Sequence, residues 1–295
     1  MRIFINKKLS MKRLFVSLFL ISILSACYED ELLNEPIKEA PPLQDELDIY
    51  IQENFIDTYN MAIRYRFVDR YLSPGIRAVP PKLEMVRPML DFIQDFWVDP
   101  YMQVENGEAF FRENVPPEII LLGGLIYNPD GTVVLGTAAA GAIITFTNVN
   151  AIDIEDPDWV NLQLLVIYHE FAHTVHQRFK LPNAFEAISP TGYTGPGAWF
   201  TLTDNDALER GFVSPYATSS PNEDFAETVA FYLFDQNFPE AVLTDEPDCT
   251  TPACETRNEG RARVREKLAS VTDHYKRVTG IDIEELRAVI QAKLQ

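Results

Sequence analysis

The chain has 295 residues, 46% of them hydrophobic and 12% aromatic, with 13 Gly and 20 Pro, which supplies a sizeable core and excludes a disordered or fibrous protein. Its 25 Lys and Arg stand against 44 Asp and Glu, a formal net charge of -19. So acidic a surface repels phosphate, and nucleic acid is excluded as a partner.

The first 26 residues hold five of the basic residues and no acidic one. Arg2, Lys7, Lys8, Lys12 and Arg13 precede an apolar run from Leu14 to Leu24 that is too short to span a bilayer. This is the layout of a secretory signal, with Met1 or Met11 as its start. The run ends Leu24-Ser25-Ala26-Cys27, which resembles a bacterial lipobox; residues 1–26 are therefore expected to be a lipoprotein signal peptide and Cys27 the acylated residue. Tyr28-Glu29-Asp30-Glu31 resembles the acidic tract that sends lipoproteins of the Bacteroidota to the outer face of the outer membrane. Surface exposure is the expectation and the periplasmic face the alternative. Prolines and charges mark residues 27–42 as a tether, which leaves 43–295 as one folded domain.

Within that domain Leu47, Tyr50, Ile51 and Phe55 recur at helical spacing. Alternation of Met61, Ile63, Tyr65 and Phe67 then predicts a strand with Arg64 and Arg66 on its other face. A helix follows Pro81 and runs to about Trp97. The Gly-, Val-, Ile- and Thr-rich stretch from Ile119 to Asn150 predicts two or three strands, with Asn128-Pro129-Asp130-Gly131 as a turn. Asp156-Pro157 is an N-cap followed by proline at the first helical position, and apolar residues continue almost all round from Trp159 to Phe179, as in a buried helix. Ser220-Pro221-Asn222-Glu223 opens another helix through about Phe234. Residues Glu255 to Lys276 and Asp282 to Leu294 read as helices solvated on one face. Strands first and helices afterwards predict an α+β domain rather than an alternating α/β one.

The buried helix carries His169-Glu170-Phe171-Ala172-His173. Four helical residues turn so that the two imidazoles project about 40° apart on one face, one turn apart in height, and both can reach one zinc ion. Glu170 flanks that point, where it can take a proton from bound water. Three protein ligands leave a position open for that water. His176 lies further along the same face, where duty behind the ligands or in the substrate pocket and plain packing are both open. The candidate source of a third ligand is Ser220-Pro221-Asn222-Glu223-Asp224-Phe225-Ala226-Glu227. Glu223 and Glu227 are four apart, and two aligned carboxylates call for a cation. Ser220 and Glu223 also match a capping box, which would tie Glu223 to backbone instead.

Together with the lipobox, His169-Glu-Phe-Ala-His-Thr-Val-His-Gln177, Gly211-Phe-Val-Ser-Pro-Tyr-Ala217 and Glu223-Asp-Phe-Ala-Glu227 resemble the zinc-binding metallopeptidase lipoproteins of Bacteroidota associated with substrate import. The His-Glu-x-x-His and Glu-x-x-x-Glu arrangement, with Tyr216 seven residues before Glu223, is similar to the gluzincin site of the anthrax lethal factor group. The resemblance implies one Zn²⁺ per chain held by His169, His173 and Glu223, Glu170 as general base, Tyr216 as oxyanion stabiliser, and Glu227 orienting a ligand histidine. It implies a zincin-like α+β fold, a small mixed sheet packed on the buried His-Glu-x-x-His helix and followed by a mostly helical C-terminal part. The expected partners are a peptide or protein substrate, the membrane through the lipid at Cys27, and an outer-membrane import complex. In such enzymes an extended substrate lies along a sheet edge, for which Ala142 to Asn148 is the candidate, an ordinary core strand being the alternative. Other functions consistent with the residues are a zinc-containing substrate-binding lipoprotein and an amidohydrolase of non-peptide amides.

Three cysteines are an odd number for an exported protein. With Cys27 lipidated, Cys249 and Cys254 are expected to form a disulfide, two free thiols being the alternative.

Overall fold

The computed structural model describes residues 45–66, 78–127, 133–134, 136–138 and 142–295. The expected signal peptide, Cys27, the expected tether, Phe67 and the expected turn from Asn128 to Gly131 lie outside them. Among the described residues no helix is long and apolar enough to cross a membrane.

Helix α1 (Glu46–Ile51) starts at Asp45, whose carboxylate accepts from Leu47 N–H, and runs on through a π-helical segment (Gln52–Ile56) to Asn60 in the left-handed conformation. There the chain reverses into β1 (Ala62–Arg64). Met61, Ile63 and Tyr65 are buried while Arg64 and Arg66 are exposed, so the alternation holds although the strand itself is short. α2 (Leu83–Ile93) continues through a wider segment (Gln94–Val98) to Met102, and α3 (Gly107–Asn114) follows. These helices lie between β1 and β2 (Glu118–Leu121), which pair in parallel with Ile63 opposite Ile119. A parallel pair needs such a crossover; α2 with its continuation is the helix expected from Pro81 to about Trp97, and α3 is an added helix that the sequence reading does not include. A short hairpin, β3 (Ile126–Tyr127) with β4 (Val133–Val134), precedes β5 (Gly136–Ala138) and β6 (Ile143–Phe146).

The sheet order is β1-β2-β6-β5, parallel except for the antiparallel β5. β6 has β2 on one side and β5 on the other, which corrects the expectation that Ala142 to Asn148 is a free edge. The outermost strand on that side is β5. It escaped sequence reading because Gly136-Thr137-Ala138 contains none of the large apolar residues that mark a strand.

α4 (Pro157–Phe179) packs against β5 and β6. Asp156 accepts from Asp158 N–H, and Pro157 needs no donor partner at the first turn. Two side chains fasten the helix to the strand end before it: Trp159 Nε1 donates to Asn148 O at 3.1 Å and Gln163 Nε2 to Thr147 O at 3.1 Å. Phe171 sets its rotation. Its ring meets those of Trp97, Tyr101, Phe110 and Phe111 at centroid separations of 5.3, 5.3, 5.6 and 5.7 Å. α5 (Asp204–Arg210) ends at Gly211, whose φ of +86° is the left-handed cap that turns the chain towards residues 212–220. α6 (Pro221–Phe234) lies along α4. α7 (Pro252–Thr279) passes so near α5 that a Cβ on Gly260 would sit 1.7 Å from Leu208 O. α8 (Ile283–Lys293) closes the core with Ile283, Leu286 and Ile290.

Candidate metal centre

With Phe171 turned into the aromatic core, its neighbours on the opposite side of α4 face α6. The His169 and His173 rings lie edge to face at 4.6 Å, with their Nε2 atoms 3.0 Å apart. At the start of α6 the Ser220 hydroxyl accepts from Glu223 N–H at 3.3 Å. That is the backbone half of a capping box. The Glu223 carboxylate instead places Oε2 3.0 Å from His169 Nε2 and 3.2 Å from His173 Nε2.

Counting protons shows what this triangle requires. His169 Nδ1 lies 2.7 Å from Glu227 Oε1, an acceptor, so the ring proton belongs on Nδ1. His173 Nδ1 lies 2.6 Å from His176 Nε2, so one ring donates to the other, and with His173 as the donor its Nε2 is left bare. Both Nε2 atoms then present lone pairs to the point that Glu223 Oε2 also faces. That oxygen is buried and accepts no hydrogen bond. Three lone pairs about 3 Å apart repel unless a cation sits among them, and tetrahedral zinc with bonds of about 2.0–2.1 Å needs ligand atoms about 3.3 Å apart. The residues fit the ion.

Charge leads to the same requirement. Burial disfavours a proton on His169, but the Glu223 and Glu227 carboxylates, 3.0 and 2.7 Å from its ring nitrogens, outweigh burial and raise its pKa to about 10, so the pocket favours a positive charge there. Burial also works against the charge on Glu223, yet the imidazoles beside it hold its carboxyl below the usual range. The two carboxylates demand positive charge between them. A ligand atom of Glu170 lies within 4.8 Å of ligand atoms of both histidines, and burial pushes its carboxyl up, opposed by those histidines. That is the direction a proton acceptor needs for work near neutral pH. Burial and His173 lower His176 to about 4, which keeps it a neutral ring behind His173.

A second layer holds these groups, and most of it was not singled out from sequence. Ser214 Oγ donates to Glu227 Oε2 at 2.5 Å and accepts from Ala217 N–H at 3.1 Å, so one hydroxyl ties Glu227 to the turn Tyr216–Ser219. Ser214 stands in the quoted motif, but a loop has no periodicity from which a direction can be read. The Tyr216 ring lies 5.8 Å from the His169 ring and is 37% exposed. Burial and then Glu223 raise its pKa, which keeps the hydroxyl a donor. Behind Glu223, Asp224 Oδ2 meets Lys267 Nζ at 2.7 Å, and both side chains are 0% exposed. Tyr193 OH donates to the same oxygen at 2.8 Å, and Lys267 also donates to Gly211 O at 2.7 Å. Lys267 thus joins the helix of Glu223 to the start of the segment that carries Ser214 and Tyr216. It escaped notice because a lysine on a charged helix reads as solvated.

The fourth histidine, His274, donates from Nε2 to Lys180 O at 3.0 Å and fastens the end of α4. Cys249 and Cys254 are joined by a disulfide with Cα atoms 5.5 Å apart, at the start of α7 and apart from the histidine cluster.

A family model described as "Putative zinc-binding metallo-peptidase" matches residues 41–284. Among solved structures, the chain is similar to a putative zinc-binding metallo-peptidase from Bacteroides caccae ATCC 43185, with a TM-score of 0.68 and 26% identity over 84% of this chain and 90% of that one. No curated protein matches.

Proposed function

Because the chain belongs to the family of putative zinc-binding metallo-peptidases, we propose that it is a zinc-dependent peptidase of gluzincin type, built as one zincin-like domain over residues 43–295. The observation that carries the reading is the meeting of His169 Nε2, His173 Nε2 and the unpartnered Glu223 Oε2 within 3.2 Å of one another, with Glu170 at their side. These three residues would hold one Zn²⁺, which supplies Lewis-acid polarisation of a scissile carbonyl and of the attacking water.

The other steps belong to the chain. Glu170 accepts the proton of the attacking water and returns it to the leaving amine. Tyr216 donates its hydroxyl to the oxygen on which charge develops. Glu227 keeps the His169 Nδ1 proton in place, which leaves Nε2 free as a ligand, and Ser214 holds Glu227. An extended peptide would lie beside α4 along β5, the strand that corrects the sequence-based choice of edge.

The purified domain should contain one zinc per chain and cut a mixed peptide library, with the cuts mapped by mass spectrometry. Glu170→Gln should keep the metal and lose nearly all hydrolysis. Protein without stoichiometric zinc that gains none on dialysis would end the reading. For location we propose a lipid anchor at Cys27 in the outer membrane, facing outward and serving an import complex. Cys27→Ala should then release the protein from the membrane fraction, and protease added to whole cells should remove the unaltered protein.

A further inference from the structure

Beside the candidate metal centre runs a ladder of rings. Tyr216 lies over His169, Trp199 packs edge-on against Tyr216 at 5.0 Å, and Phe200 packs edge-on against Trp199 at 6.0 Å. The ladder leads outward: Phe200 is 61% exposed. Neither Trp199 nor Phe200 belongs to any of the hydrophobic clusters among the described residues. A tryptophan and a phenylalanine usually stabilise a fold by burial, and these two do not serve the core.

Their loop is fixed to the site. Thr194 N–H donates to Thr218 O at 2.8 Å and the two threonine hydroxyls lie 2.9 Å apart, so the loop is fastened to the turn that carries Tyr216. From Ala187 to Thr203 no residue is charged, in a chain that is 23% charged with a net charge of -19. The rim therefore sets an uncharged, aromatic surface next to a reaction centre on a strongly acidic molecule.

We propose that Trp199 and Phe200 form a side-chain subsite that selects a large apolar or aromatic residue of an extended peptide, close to the bond being cut. The proposal rests on the peptidase reading for its substrate. A neutral aromatic surface favours an uncharged apolar side chain over a charged one, because it offers contact area and no group to pair a charge. Trp199 is two ring contacts from a metal-facing histidine. Since an extended chain advances about 3.4 Å per residue, the selected side chain lies within about three positions of the scissile bond.

The test uses the zinc-loaded protein and capped hexapeptides identical except for Phe or Ala at each position in turn. In Glu170→Gln, which binds without cutting, tryptophan fluorescence should report tighter binding by roughly tenfold when Phe stands at one particular position, the scale of burying one aromatic side chain. Trp199→Ala and Phe200→Ala, made in the active protein, should raise KM for that peptide several-fold more than for the Ala peptides, so that the preference for Phe is lost while zinc content stays unchanged. Binding that ignores Phe at every position overturns the proposal, as does a preference that survives both substitutions. Selective binding by Glu170→Gln without cleavage by the unaltered protein would uphold the subsite and refute the peptidase reading, so the two fail separately.

Discussion

Glu223 and Asp224 are consecutive on α6, point about 100° apart, and lie in two buried polar clusters that solve one problem differently. Asp224 receives its cation from the chain, since Lys267 Nζ sits 2.7 Å away and Tyr193 adds a donor. Glu223 receives none: its Oε2 faces two imidazole lone pairs and accepts no hydrogen bond. A buried carboxylate needs a positive partner in both places. Where the partner comes from the chain's own side chains the result is an anchor, and where it is left out the partner we propose is a metal ion. The anchor also serves the site, because Lys267 holds Gly211 O and so the segment leading to Ser214 and Tyr216.

The largest expected effect breaks the open cluster. Glu223→Ala, or either His169→Ala or His173→Ala, should lose stoichiometric zinc and all hydrolysis, read by metal analysis and peptide turnover. If Glu223→Gln matches the unaltered protein while Glu227→Gln strips the metal, the ligand assignment is reversed. Next comes the closed cluster. Lys267→Met strands Asp224 and should cost about 3–5 kcal/mol in urea unfolding, whereas Lys267→Met with Asp224→Leu should recover most of that. A double variant as unstable as the single one would mean that Lys267 contributes packing and not charge.

Smaller effects sharpen the contrast between holding the ion and using it. Tyr216→Phe should keep the metal and slow turnover by roughly 10²-fold, the loss typical of an oxyanion donor; an unchanged rate would demote Tyr216 to packing. Glu227→Ala should still bind zinc, with affinity or activity reduced roughly 10 to 100-fold, because it only positions a ligand. Smallest is reduction of the Cys249–Cys254 bridge, which closes a short loop outside both clusters. It should lower stability by about 2 kcal/mol and leave zinc content unchanged. Zinc loss on reduction would tie the loop to the site.

What could be read from the sequence follows the physics of each element. α4 was legible because apolar residues all round a helix have no reading except burial, and histidines among them must find partners. Glu223 and Glu227 were legible through their spacing of four. The crossover helix α3 and the short α5 lacked a long period to read, and β5 lacked large side chains. Lys267 and Ser214 were hidden for another reason: each acts through contacts made far along the chain, and nothing in the neighbouring residues announces a lysine at 0% exposure.

The grip of four aromatic rings on Phe171 has a consequence for the order of assembly. Small zinc domains of the finger type depend on their ion to fold. Here hydrocarbon contacts set the orientation of the histidines, and the opposing helix α6 is anchored at Asp224 by Lys267 of α7. Chelation should therefore empty the centre while leaving the far-ultraviolet circular dichroism and the unfolding transition largely intact, and zinc added back should restore activity without a refolding step. The chain can finish folding first and acquire its metal later, from whatever supply surrounds it.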